Sequence, residues 1–188
     1  HELNETLEEV RAIKRQQDGD YFLTSLLLQP LNGNFARSDR IELVSLVRQK
    51  KTFDFKNRQS ELGGDLVAAY NLLLDGRPFI AFVNGHCMGK SMQGAGGAIV
   101  LGTVFKSFVN RTRVQPALAE KFPERWLKEC ALELHEVFAG FDGTMSTSAV
   151  IGLVDEETGV LYMINAEHPW SVLYRDGKAI FLEERSAM

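Results

Sequence analysis

Cysteine and proline are scarce in this chain, which has two and five of them among 188 residues. Two isolated cysteines, Cys87 and Cys130, cannot build a disulfide framework, and their sparse use fits a reducing compartment. No apolar run reaches 18 residues, so nothing reads as a membrane-spanning helix. The opening stretch HELNETLEEVRAIKRQQ has no apolar central region and is not a signal peptide. Positive charge is in short supply as well. Twenty-one Lys and Arg face 25 Asp and Glu, a net charge of −4. That balance argues against a nucleic-acid partner or an anionic-membrane surface. Together these absences lead us to expect a cytoplasmic protein. What is present is ordinary for a globular domain: 45% hydrophobic and 24% charged residues, in a chain long enough for one substantial core.

The first 17 residues carry Leu3, Leu7, Val10 and Ile13 or Lys14 as a narrow apolar stripe on a charged helix. Two readings are open: a helix packed on its own domain, or a coiled-coil linker that self-associates and leads from an upstream sensor module. The cluster Asp18-Gly19-Asp20 predicts the end of that helix. YFLTSLLLQPL, residues 21–31, then reads as a strand closed by Pro30, residues 32–40 as a loop, and Ile41 to Phe55 as a second β region. The basic run Arg48-Gln49-Lys50-Lys51 reads as a solvated edge or turn. Leu66 to Leu74 and Pro78 to Val83 flank Asp75-Gly76, a strong hairpin turn, so residues 65–83 are expected to be two antiparallel strands.

Two helices follow. One, over about 89–108, is rich in Gly and Ala, which implies close approach to another backbone. The other, 123–139, starts at Pro123 and has Trp126, Leu127, Cys130, Leu134, Val137 and Phe138 on one face. Cys130 is therefore expected in the core. His135 is expected to face solvent or be hydrogen-bonded, and His168, before Pro169, to be structural. The last third alternates short apolar runs with the turns 155–159 and 176–177. Strands on both sides of a central helical pair make an α+β layered fold.

Chemistry can be sought in two loops. Glu61-Leu62-Gly63-Gly64-Asp65 opens one arm of the hairpin, and Asn84-Gly85-His86-Cys87-Met88-Gly89-Lys90-Ser91 leaves the other. The arms are about equal in length, so Asp65 and the second loop should lie side by side. Glycines before Asp65 allow a ligand to approach the backbone, and a carboxylate there suits a hard divalent cation. On pattern alone, a glycine bulge with a solvated aspartate explains the first loop more readily. Residues 84–91 also come close to a phosphate-binding G-x-x-x-x-G-K-S loop, with Asn84 in place of the first glycine.

The stretch ELGGDLVAAYNLLLDGRPFIAFVNGHCMGKSMQGAGGA resembles the metal-binding core of PPM-family (protein phosphatase 2C-like) serine/threonine phosphatases, in the bacterial branch typified by stage II sporulation protein E and the sigma-factor regulatory phosphatases. Its GGD, hairpin, D-x-x-G-K/H-G and small-residue helix occur in that order. Asn165-Ala166-Glu167-His168-Pro169 resembles the branch's N-A-G-H-P turn. The resemblance covers about residues 60–183. It implies an α-β-β-α sandwich of antiparallel sheets, two Mn²⁺ or Mg²⁺ ions and a metal-activated water rather than a catalytic side chain. It implies as substrate a phosphorylated regulatory protein, commonly an anti-sigma-factor antagonist. By the same resemblance Asp65 is a bridging metal ligand, position 86 the second acidic ligand, and Cys87 a ligand through its carbonyl, with Gly64, Gly89 and Lys90 in the substrate vicinity.

Position 86, however, is His86 where the family has Asp, and imidazole is neutral and favours softer metals. The family's later acidic motifs do not occur before Met188, and Asp142 and Asp155 read as turn residues instead. The expectation is thus a helical linker over 1–17 and a phosphatase-like domain over 18–188 that is a fragment lacking its C-terminal part, or has an incomplete metal site. Such a domain is either a weak enzyme or a degenerate one that binds a partner or dimerises.

Overall fold

The computed structural model describes residues 2–182. A long helix α1 (Glu2–Leu28) and a 3₁₀ turn (Gln29–Leu31) lead into a two-residue strand β1 (Gly33–Asn34). Strands β2 (Lys51–Phe55) and β3 (Arg58–Leu62) form a hairpin, and β4 (Asp65–Leu74) and β5 (Arg77–Cys87) a longer one. Helices α2 (Met92–Val114), α3 (Pro116–Ala119) and α4 (Pro123–Ala139) follow. Strands β6 (Thr147–Asp155), β7 (Leu161–Ala166), β8 (Val172–Arg175) and β9 (Lys178–Phe181) complete the described chain. The fold is α+β. One five-stranded sheet, in the order β1-β4-β5-β6-β7, is antiparallel except for the short β1–β4 pair; β2–β3 and β8–β9 stand as separate two-stranded hairpins.

One face of the sheet is sealed by α2 and α4. Leu66, Ala68, Tyr70 and Leu72 of β4 alternate toward that side, as do Phe79, Ala81, Val83 and Cys87 of β5. They meet Ala98, Leu101, Phe105 and Val109 of α2, and Trp126, Cys130 and Leu134 of α4 are buried with them. Trp126 is fully buried, and its indole N–H donates to Thr112 Oγ1 at 2.8 Å, so its one polar atom is satisfied inside the core. The small residues of α2 do allow close approach. A Cβ on Gly97 would stand 2.7 Å from the Cβ of Cys87, and one on Gly102 2.9 Å from that of Leu31.

Two expectations are corrected and one is refined. The first helix does not stop at Asp18-Gly19-Asp20, and residues 21–28 are helical rather than a strand. Tyr21 and Leu28, one heptad apart, are buried on its domain-facing side; Tyr21 packs on Phe53 with ring centroids 5.7 Å apart, and Phe22 stacks on Phe55 at 4.8 Å. This packing outweighs the helix penalty of one glycine, about 1 kcal/mol. The β region expected over 41–55 shrinks to β2. Residues 41–50 alternate between half-buried and exposed but pair with no strand. Side chains hold this segment instead, through Asn34 Nδ2 to the Leu43 carbonyl and through Gln49. Asp155 opens the 155–159 turn as the sequence predicts, accepting from the Glu157 and Thr158 N–H groups, but it does so fully buried at the end of β6 and paired with Arg77. Elsewhere the hairpin, the 123–139 helix, buried Cys130 and exposed His135 lie where the pattern places them, while β5 runs on through Cys87 into the expected loop and α2 extends to Val114, past the expected end near 108.

Candidate functional site

The register of β4 on β5 brings the two loops together. Asp65 lies directly opposite His86, and the Cys87 N–H donates to the Gly64 carbonyl at 2.9 Å just beyond. A Cβ on Gly64 would collide with the Cys87 carbonyl oxygen, so glycine is required there by close approach. Asp65 and His86 point to the sheet face away from the helices, with side chains 42% and 53% exposed. Their Oδ1 and Nδ1 atoms are 2.6 Å apart. The ionised carboxylate only accepts, so Nδ1 carries the proton of this bond.

The row continues across the sheet. Ser148 of β6 is the cross-strand partner of His86, and its Oγ lies 3.1 Å from His168 Nδ1. Burial holds the His168 pKa below the ordinary histidine value, with His86 acting in the same direction and the Ser148 hydrogen bond and Asp65 opposing.

Sequence reasoning took Gln49 as part of a solvated basic run and missed its role. Its side-chain amide grips the Asp65 backbone from outside, donating to the carbonyl at 2.7 Å and accepting from the N–H at 3.3 Å. Its own N–H donates to Glu61 at 3.0 Å. The glutamine thus does for the first residue of β4 what a neighbouring strand would do. The only signal in the sequence was an amide among charges.

Between the 49–51 segment and the 89–91 loop lies an open cavity of about 390 Å³. It is lined by Gln49, Lys50, Lys51, Gly63, Gly64, Asp65, His86, Gly89, Lys90 and Ser91. Five of the six residues singled out from the sequence therefore border one cavity. The sixth, Cys87, turns its thiol inward, where Sγ lies 3.2 Å from Thr147 Oγ1 and burial pushes its pKa up to about 11. The thiol is buried away from the cavity, and it is the Cys87 carbonyl that faces Gly64. Ser91 adopts φ 40°, ψ −93°, a strained conformation for a residue with a side chain, at the start of α2.

Two hard cations do not fit this donor set. Among the described residues, no group of three His, Cys, Asp or Glu side chains is placed to hold a metal ion. Asp65 is the one carboxylate on the cavity, and one of its oxygens is engaged by His86. Magnesium demands near-octahedral oxygen ligation, which one partly engaged carboxylate and backbone carbonyls meet poorly.

The phosphate-loop alternative fails on topology. A G-x-x-x-x-G-K-S loop follows a strand of a parallel sheet, whereas β5 is antiparallel to both its neighbours. What decides the family is a match over residues 78–188, from β5 onward, to the model of stage II sporulation protein E (SpoIIE). The chain belongs to the SpoIIE family. That places it among PPM-type phosphatase domains, as the ordered motifs lead one to expect, and the matched span includes His86 and the 89–91 loop but begins after Asp65. No curated protein matches the chain. Among the described residues of this SpoIIE-family chain, no helix is long and apolar enough to cross a membrane.

Proposed function

We propose that this SpoIIE-family chain is a cytoplasmic signalling domain whose site receives the phosphoserine or phosphothreonine of a regulatory protein, an anti-sigma-factor antagonist by the family resemblance. In the family, Mn²⁺ or Mg²⁺ supplies the hydrolytic chemistry. With His86 in place, we propose that this chain hydrolyses its substrate slowly. The observation that carries this reading is the pairing of Asp65 with His86 at the mouth of the cavity. That position is where the resemblance puts two metal-binding carboxylates. Replacing one carboxylate by imidazole removes a negative charge between two cations and leaves one donor atom in place of two.

The same pairing favours a second reading, a degenerate domain that binds the phosphoprotein without turning it over. Lys90 and Gly89 in the loop before α2, and Gly64 before β4, leave the cavity open and basic in either case. We further propose that α1 is the end of a linker from an upstream sensor module. One experiment separates the two readings. Phosphate release from a phosphoserine peptide is followed with and without Mn²⁺. Release that depends on Mn²⁺ and is abolished by Asp65→Asn identifies an enzyme. Binding of the peptide with no release identifies the degenerate domain, and neither binding nor release rejects both.

A further inference from the structure

We infer that the cavity between the 49–51 segment and the 89–91 loop binds a phosphomonoester dianion through lysine side chains, without a metal ion. This deepens the proposed function and rests on it for the substrate class. The cavity brings together three lysines and one carboxylate in a protein that is acidic overall. Lys50 and Lys51 stand on one rim and Lys90 on the other. Among the described residues none of the three is engaged in an ion pair. Lys51 is steadied by the Tyr21 ring, with its ammonium 5.5 Å from the ring centroid. Lys50 and Lys90 are exposed and free to turn inward.

The opposing charge is Asp65, and its Oδ1 accepts from the His86 imidazole. A cation would meet three ammonium groups and one partly engaged carboxylate. A phosphoryl group, which carries between about −1.5 and −2 charges at pH 7, would meet the reverse. The volume of about 390 Å³ admits a phosphorylated side chain with its flanking backbone. Where the family resemblance calls for cations held by carboxylates, this chain places lysine side chains on both rims of the cavity.

The test is calorimetric titration of the whole chain, in EDTA, with a phosphoserine peptide of neutral flanking sequence, with its unphosphorylated form and with inorganic phosphate. The phosphopeptide and phosphate should bind saturably and the unphosphorylated peptide should not. The Lys50→Ala/Lys90→Ala double variant should bind the phosphopeptide about ten-fold more weakly, as for two exposed charge pairs. Both lysines are exposed, and circular dichroism of the variant checks that it is folded. Binding that appears only on adding Mn²⁺ overturns the inference, as does binding in EDTA that the double variant leaves unchanged. Phosphate release measured on the same samples with Mn²⁺ keeps the two ideas apart. Binding in EDTA without release leaves the inference standing and sinks hydrolysis. Release with no binding in EDTA does the opposite.

Discussion

Asp65 Oδ1 and His86 Nδ1 stand 2.6 Å apart on directly opposed residues of β4 and β5. By the family resemblance, the imidazole stands where a second carboxylate would share a cation with Asp65. It also takes up one of the Asp65 oxygens. Two carboxylates so close would repel one another and be relieved by a divalent ion. His86→Asp is therefore expected to raise Mn²⁺ affinity about ten-fold or more, on the scale by which ligand-sphere changes move metal affinity. Electron paramagnetic resonance of free Mn²⁺ during titration measures this directly. Unchanged affinity would remove residue 86 from the metal site.

Arg77 and Asp155 form an ion pair at the opposite end of the sheet, seven residues along β5 and β6 and so roughly 23 Å from the Asp65–His86 pair. Asp155 is fully buried and accepts from the N–H groups of Glu157 at 2.8 Å and Thr158 at 3.2 Å. Burial alone would raise its pKa. The N–H and Thr158 hydrogen bonds, with the Arg77 charge, reverse that and hold it below the usual aspartate value. A carboxylate with a depressed native pKa adds stability that is complete above the unfolded pKa, near 3.8, and is lost as pH falls through the native value. Asp155→Asn should therefore flatten the acid limb of the stability curve below about pH 4.5. At neutral pH it should cost about 1–3 kcal/mol, as for hydrogen bonds to a buried charge. Urea denaturation at a series of pH values shows both effects; parallel acid limbs for the two proteins would count against this role.

Adjacent glycines of α2 should respond in opposite senses. A Cβ on Gly96 would meet only Met145 Cε, at 3.8 Å, an ordinary contact. Gly96→Ala should stabilise the protein by up to about 1 kcal/mol through helix propensity. A Cβ on Gly97 would come within 2.7 Å of the Cβ of Cys87, on a strand that cannot retreat. Gly97→Ala should destabilise by about 1–3 kcal/mol, as overpacking does. Thermal melts of the two variants decide it, and equal shifts would refute the close approach of α2 to β5.

Local chemistry made the 65–87 hairpin and the 123–139 helix legible. Asp75-Gly76 demanded a tight turn at a known offset from two apolar runs, and Pro123 opened a stripe of period 3.6. The hairpin in turn predicted the nearness of Asp65 and His86, since equal arms return to the same level. The hidden parts were tertiary. Tyr21 looks as strand-like as helix-like until Phe53 of β2 and Leu62 of β3 cover it, and so does Leu28 until it joins the main core. Residues 41–50 alternate like a strand but have no partner, because Asn34 and Gln49 satisfy part of their backbone surroundings through side chains. Asp155 beside Glu156 and Glu157 reads as a turn, and only the Arg77 position across the sheet shows that it is buried.

The heptad register of α1 carries the last prediction. Counting by fours and threes, Leu3, Leu7, Val10, Lys14, Gln17, Tyr21, Thr24 and Leu28 fall on one stripe. At its C-terminal end the stripe is covered by the domain, with Tyr21 and Leu28 at 6% and 5% exposure. Toward the N-terminus the same stripe is bare, with Leu3, Leu7 and Val10 at 75%, 44% and 57%. In proteins most helical stability comes from packing of the apolar side, and the N-terminal part of α1 has that side bare. A second copy of the same helix offers a matching stripe in the same register, and each large side chain removed from water contributes about 1.5–3 kcal/mol. The chain should therefore dimerise through residues 3–13. Leu7→Glu/Val10→Glu should yield a monomer, because it puts four carboxylates into the seam of the dimer while leaving Tyr21 and Leu28 seated. Light scattering across a concentration series reads the mass directly. A monomeric parent chain at every concentration, or a dimer untouched by the double substitution, would show that the bare stripe has no such partner.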